Sequence, residues 1–322
     1  MQNESTSLSY LPVGMFGGVM GLTGLSVAWR LAHQQFGAPL WISQLAGLAA
    51  VAAFVALAVA YGVKAYAGWS AVRAEFNHPV ASSLFGTPMI SLLLLPFVLA
   101  DYSLPLARLS WVLGAVGMTV LAWVIVLRWM TLRQTAAQVA PAWIVPVVGM
   151  LDVPLAVPQL QWQGLHEVMV FGLAVGLFFA LPLFTLIFQR LVMEEPLPAP
   201  MQPSLLILVA PFAVGFSAYV TTTGGIDLFA QALYMLMVFL LAVLLGRLRH
   251  LPRCSPFRVS WWAASFPLAA SAGAAIRYAG HARNIVADGI ALLFLAIASI
   301  VIVVFLAQTL AGVAKGELKA LA

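Results

Sequence analysis

Prolines recur in alternate long apolar segments of this chain, and this alternation constrains the fold more than any other feature. Ten segments, numbered 1 to 10 in chain order, cover residues 12–32, 42–63, 80–100, 106–127, 142–160, 166–189, 204–222, 228–246, 259–279 and 286–312. The prolines of the odd-numbered segments include Pro12, Pro88, Pro96, Pro146, Pro154, Pro211 and Pro267, whereas the even-numbered segments contain Pro182 alone. Because proline removes a backbone donor and clashes with the preceding turn, it kinks a helix.

Kinked helices place a further demand on a chain that lies in lipid. The carbonyl groups freed at a kink need a partner from the protein or from water in a cavity. The alternation therefore predicts an inner ring of five kinked helices around a central pore. The five straighter helices would form an outer ring that faces lipid, so that the chain consists of five helical hairpins.

The composition excludes a soluble fold. Hydrophobic residues make up 63% of the 322 residues and charged residues only 8%, against about 25% charged residues in a soluble domain. The apolar segments run to about 20 residues, which is the length of a transmembrane helix. We therefore predict an all-α integral membrane protein, with a single domain over residues 1–322 and ten transmembrane helices. The net charge of +5 does not indicate nucleic-acid binding, because the basic residues lie in short loops.

The distribution of Lys and Arg predicts the orientation. The loops on one side hold 11 of the 15 basic residues, namely Lys64, Arg73, Arg128, Arg133, Arg190, Arg247, Arg249, Arg253, Arg258, Lys315 and Lys319. The other side holds four, namely Arg30, Arg108, Arg277 and Arg283. Since cytoplasmic loops carry the excess of positive charge, both termini are predicted to be cytoplasmic. The compact chain favours a bacterial inner (plasma) membrane, which it would cross several times.

Glycines in segment 1 recur at spacings of three and four residues. The pairs Gly14 and Gly18, and Gly17 and Gly21, fit the small-xxx-small pattern that lets helices approach closely. One interpretation is tight packing against a neighbouring helix. The other is that the missing side chains widen a conduit that backbone lines.

Five sequence motifs, in order along the chain, resemble one membrane-protein family. Segment 9 contains FRVSWWAASFP (residues 257–267) and ends in IRY (276–278). The strings LPVGMFG (11–17), NHPV (77–80) and PAWIVP (141–146), with AP (210–211) and SAY (217–219), match at corresponding intervals. Together they resemble the tellurite-resistance/C4-dicarboxylate transporter family, which includes the plant slow-type anion channels. The resemblance covers the whole chain.

This resemblance implies a gated anion channel. It implies a homotrimer in which each subunit has its own pore, occluded midway by a phenylalanine that corresponds to Phe266. A ring across a narrow pore blocks ions sterically and by dewetting, and another rotamer would open the path. Pro88, Pro146, Pro211 and Pro267 would supply the kinks, and small anions such as chloride and nitrate would be the partners. Half-helix N-termini at the kinks would attract them weakly.

Three polar residues of the segments are candidates for lining the pore. Asp152 lies inside segment 5, and a carboxyl group in a membrane is a functional candidate by default. It is either held protonated by desolvation and makes conduction pH-dependent, or it is a structural residue that bonds to amides freed by Pro154 or to a neighbouring helix. Arg277 either attracts anions at the pore mouth or snorkels to the lipid headgroups. Ser271 is a further candidate in segment 9.

An alternative function remains open at this point. A secondary carrier could export a dicarboxylate, sulfite or a tellurite-type oxyanion, with Asp152 moving a proton. Such a carrier needs substrate-sized polar groups near the midplane, and the segments offer few. The sequence contains no metal-ligating cluster and no nucleophile constellation, so we expect no enzyme activity, no metal and no cofactor.

Overall fold

The computed structural model describes residues 8–249 and 256–321. Arg253 of the orientation count lies outside the described residues. The chain is 84% helical, and no strand occurs in the described ranges. The predicted all-α class is therefore confirmed.

Eight helices within the described residues are long and apolar enough to cross a membrane. They are Leu40–Ala67, Ala81–Leu99, Leu104–Thr131, His166–Met193, Ala199–Thr223, Leu228–Leu248, Val259–Ala282 and Ile285–Ala314. They correspond to segments 2, 3, 4, 6, 7, 8, 9 and 10. The structure thus supports a multi-pass membrane protein, and segments 1 and 5 differ from the other eight.

Segment 1 is helical, whereas segment 5 is interrupted. Segment 1 forms helix Val13–Phe16 and then helix Gly17–Phe36, which is rich in glycine and polar toward its end. Segment 5 has a short apolar helix at Pro141–Asp152, followed by turns and a single helical turn at Val157–Leu160. Its backbone from residue 139 to 157 is buried, which is where irregular backbone at membrane depth is tolerated.

Every odd-numbered segment begins as a 3₁₀ helix and then becomes an α-helix. The five 3₁₀ stretches are Val13–Phe16, Ala81–Phe85, Pro141–Ile144, Ala199–Val209 and Val259–Ala264. The α-helices that follow them are Gly17–Phe36, Gly86–Leu94, Val145–Val148, Ala210–Thr223 and Ser265–Ala282. The even-numbered segments are continuous α-helices, including the one that contains Pro182. The proline pattern therefore marks a real difference in backbone.

The sequence predicts helix kinks at four prolines, and the structure places these prolines at the start of α-helices. Pro88, Pro146, Pro211 and Pro267 each lie in the first turn of the α-helical part. A backbone N–H is not needed there, and the fixed φ of proline suits the start of a helix. They mark the junction between the two helix types and do not break an α-helix at its middle.

The two classes of segment also differ in burial. In segments 3, 7 and 9 between 67% and 78% of the residues of the most apolar stretch are buried, against 11% to 44% in the even-numbered segments. The even-numbered helices expose large apolar side chains such as Trp123, Phe178 and Phe239. The apolar core is accordingly built mainly from the proline-bearing segments.

Close contact between segments 1 and 9 depends on glycine. A Cβ on Gly21 would overlap the Ser265 side chain, and a Cβ on Gly24 would lie 2.9 Å from Cβ of Ala269. Ser265 donates a hydrogen bond to the Gly17 carbonyl at 3.1 Å. The packing interpretation of the glycine spacing therefore describes this helix pair.

We expect Gly21→Ala to lower the free energy of unfolding by about 1–3 kcal/mol, because an added methyl overpacks this contact. Gly62→Ala is the matched control. Gly62 also lies within an α-helix, has nothing within 4 Å of an added Cβ and should gain about 0.5–1 kcal/mol. Thermal unfolding of the two purified variants measures the difference in their stability. Equal melting temperatures would show that the contact between segments 1 and 9 does not depend on glycine at position 21.

Candidate functional site

A cavity of about 230 Å³ opens between the first halves of all five odd-numbered segments. The residues that line it fall within 12–20, 80–90, 140–152, 201–214 and 259–267. The 3₁₀ stretches and the first turns of the α-helices that follow supply most of this wall. We call it the larger cavity, since it is the larger of two cavities that are lined by these five segments.

A second cavity of about 50 Å³ is lined by later residues of the same five segments. These residues fall within 24–31, 94–97, 155, 214–217 and 266–277. Within each segment the residues of the larger cavity come first, so the two cavities follow one another along the direction of the segments. Phe266 and Val214 are common to both walls, which places their side chains between the larger and the smaller cavity.

Phe266 owes its position to the change of helix type in segment 9. It is the second residue of the α-helix Ser265–Ala282, directly after the 3₁₀ stretch Val259–Ala264. Its side chain is buried, and its Cδ2 atom lies 3.4 Å from where a Cβ on Gly24 would stand. The missing side chain at Gly24 thus makes room for the ring.

Asp152 lies in the wall of the larger cavity. The residue is 2% exposed, and its Oδ1 atom has no hydrogen-bond partner. It is the one titratable side chain among the described residues that line this cavity. The amides next to Pro154 therefore do not bond to Oδ1.

The other predicted site residues lie in different places. Gly14 lines the larger cavity, and Gly18 packs against the Trp262 ring. Arg277 lines the smaller cavity, and its guanidinium donates to the Thr221 hydroxyl at 3.2 Å. Ser271 is fully buried, donates to the Pro267 carbonyl at 2.7 Å and lines neither cavity. Its hydroxyl is used within its own helix.

A buried ion pair next to the larger cavity was not predicted from the sequence. The Lys64 ammonium donates to a Glu75 carboxylate oxygen at 2.7 Å and to the Leu11 carbonyl at 2.6 Å. The other carboxylate oxygen of Glu75 accepts from the Val13 amide at 2.7 Å. Lys64 is 3% exposed, so it is not the loop cation that the orientation count assumed. The pair fixes the backbone on either side of Pro12, which lines the cavity.

No group of three metal-ligating side chains occurs among residues 8–249 and 256–321. Apart from Asp152 and Arg277, the cavity walls consist of apolar side chains and backbone with a few hydroxyl groups. Thr87 and Ser260 line the larger cavity, and their hydroxyls donate to the carbonyls of Val13 and Pro200. Such walls suit passage or weak binding of a small ligand.

The sequence matches a known family over nearly its whole length. A family model described as "SLAC1: Voltage-dependent anion channel" matches residues 10–310. The chain belongs to this family. The membership that the five motifs predicted is therefore confirmed.

Individual relatives include plant and bacterial proteins. The S-type anion channel SLAH3 of Arabidopsis thaliana is 30% identical over 311 residues, which are 93% of this chain and 48% of SLAH3. The guard cell S-type anion channel SLAC1 of the same plant is 25% identical over 310 residues, 93% of this chain and 55% of SLAC1. The tellurite resistance protein TehA homolog of Haemophilus influenzae is 24% identical over 319 residues, 95% and 92% of the two chains. The chain thus spans about half the length of these two plant channels.

Proposed function

We propose that the chain is a gated anion channel whose path runs through the two cavities and is closed by Phe266. The observation that carries this proposal is the position of Phe266 in both cavity walls. The family match and the names of the plant relatives support anions as the permeant species. Segments 1 and 5 would join the eight long helices as the ninth and tenth crossings.

The path would be closed by one side chain and opened by its rotation. The larger cavity ends at Phe266 on one side, and the smaller cavity begins at the same ring. An aromatic ring in a narrow apolar passage excludes ions sterically and by dewetting. Moving the ring to another rotamer would join the cavities without any movement of the helices.

Weak backbone electrostatics would select anions in this path. The larger cavity carries no basic side chain among its described lining residues. The α-helical parts of segments 7 and 9 begin at this cavity, and a helix N-terminus carries about half a positive charge. Arg277 would add a full positive charge at the smaller cavity. Distributed attraction of this kind favours small monovalent anions such as chloride and nitrate, because a tightly held ion would not leave.

Contacts of the basic residues support the division of the loops into two sides. Arg128 donates to the Phe76 carbonyl, and both residues belong to the side that we assign to the cytoplasm. Arg108 donates to the Leu160 carbonyl on the opposite side. We place the protein in a bacterial inner membrane with both termini cytoplasmic. A homotrimer is proposed from the family resemblance, and the two cavities within one chain support a separate pore in each subunit.

A secondary carrier is the alternative, and Asp152 is the observation that favours it. An unpartnered carboxyl group in a cavity wall can take up and release a proton during transport. A carrier for a dicarboxylate, sulfite or tellurite-type oxyanion would use this proton to drive export. Electrical current separates the two functions, because a carrier cycle passes far fewer ions per second than an open pore.

We expect Phe266→Ala to convert a small wild-type current into a large constitutive anion current, because the path then lacks its closing ring. Voltage-clamp recording with chloride, nitrate and malate measures this current and ranks the anions. Phe216→Ala is the control: Phe216 is also buried in a proline-bearing segment but lines neither cavity. Low current in a well-expressed Phe266→Ala variant would reject gating by this residue. Equal current in both variants would show a leak from lost packing.

We expect the wild-type anion current to rise as the pH falls from 8 to 5. A protonated Asp152 is neutral, whereas its carboxylate repels anions in the same cavity. Asp152→Asn should remove this pH dependence and hold the current at the low-pH level. Recording the anion current of the wild type and of Asp152→Asn between pH 5 and pH 8 tests this prediction. Parallel pH profiles of the two proteins would show that Asp152 does not cause the pH dependence.

A further inference from the structure

A third cavity, separate from the proposed anion path, lies where segments 4 and 6 end. It has a volume of about 430 Å³ and is enclosed by these two helix ends, the loop 132–139 and the start of segment 5. We call it the loop cleft. It shares no lining residue with the larger or the smaller cavity.

The loop cleft contains a buried arginine with unused donors. Arg190 is 8% exposed, and its Nε and Nη1 atoms have no hydrogen-bond partner. A buried guanidinium charge without a partner is strongly unfavourable. Glu194 also lines the cleft but is exposed and forms no ion pair with Arg190 among the salt bridges of the described residues. Within the described residues, no carboxylate pairs with the Arg190 guanidinium.

A second unused donor lies in the same wall. The indole Nε1 of Trp143 is buried without a partner, and its ring stacks on Trp129 with the centroids 5.2 Å apart. The stacking holds the indole in place. Segment 5 lies between the two cavities: Trp143 lines the loop cleft, whereas its neighbours Ala142 and Ile144 line the larger cavity.

We propose that the loop cleft binds a phosphate group, as the headgroup of an anionic lipid or as a free phosphate. A guanidinium fork matches the oxygens of phosphate, and a phosphate has oxygens left to accept from the indole. Arg133 at the rim adds a second positive charge against the one negative charge of Glu194. Leucine and methionine side chains of segment 6 form an apolar wall next to Arg190, which suits the start of an acyl chain.

The test measures binding to the purified full-length chain. Phosphatidylglycerol, phosphatidylcholine and inorganic phosphate are titrated separately, with native mass spectrometry and the thermal melting temperature as readouts. We expect one tightly bound phosphate-bearing ligand in the wild type and at least a ten-fold weaker apparent Kd in Arg190→Gln. Stabilisation by phosphatidylglycerol alone identifies a lipid site, whereas stabilisation by inorganic phosphate identifies a site for the free anion.

Two further variants keep the result decisive. Arg247→Gln is the matched control, because Arg247 also lies in the last turn of an even-numbered segment but is exposed and outside the cleft. It should bind as the wild type does. Trp143→Phe removes only the indole donor and should weaken binding several-fold, which tests the site even if Arg190→Gln does not fold. Wild-type protein that binds neither phosphatidylglycerol nor inorganic phosphate would overturn the proposal. Equal affinity in the wild type, Arg190→Gln and Trp143→Phe would overturn it as well.

Discussion

The need to satisfy backbone hydrogen bonds inside a bilayer governs the rest of this structure. A continuous α-helix satisfies its own backbone hydrogen bonds, and the even-numbered segments are built in that way. The odd-numbered segments change from 3₁₀ to α-helix, and such irregular backbone is tolerated only where protein or a cavity surrounds it. Their burial between the straighter helices and their position around the two cavities follow from the same requirement.

The change of helix type also determines where Phe266 lies. A 3₁₀ stretch has three residues per turn and an α-helix has 3.6, so the junction in segment 9 resets the direction of the side chains that follow. Pro267 in the first α-helical turn and the glycines of segment 1 then hold Phe266 between the cavities. The Lys64–Glu75 pair anchors the residues on either side of Pro12 at the far end of the larger cavity. The site thus depends on backbone geometry more than on polar side chains.

Much of this arrangement could be predicted from the sequence, because proline spacing and hydropathy report directly on membrane helices. The all-α class and the division into two kinds of segment follow from these patterns, whereas the family was indicated by the resemblance of five sequence motifs. The 3₁₀ stretches could not be predicted, since a proline signals an irregularity but not the type of helix before it. Ser271 lines neither cavity, and helical spacing alone does not show which face of segment 9 meets a cavity. The burial of Lys64 and Arg190 depends on distant contacts, and a charged residue at the end of an apolar segment does not reveal them.

We propose that Phe266 separates two cavities that belong to a single path across the membrane. Ala263 lines the larger cavity and Ala270 the smaller one, with Phe266 between them in the same segment. With the single cysteine Cys254 replaced by serine, Ala263→Cys and Ala270→Cys can each be exposed to a charged, membrane-impermeant thiol reagent from either side. If Phe266 closes the path, we expect the reagent to modify Ala263→Cys from one side only and Ala270→Cys from the opposite side only. Modification of both from the same side, or of neither, would contradict it.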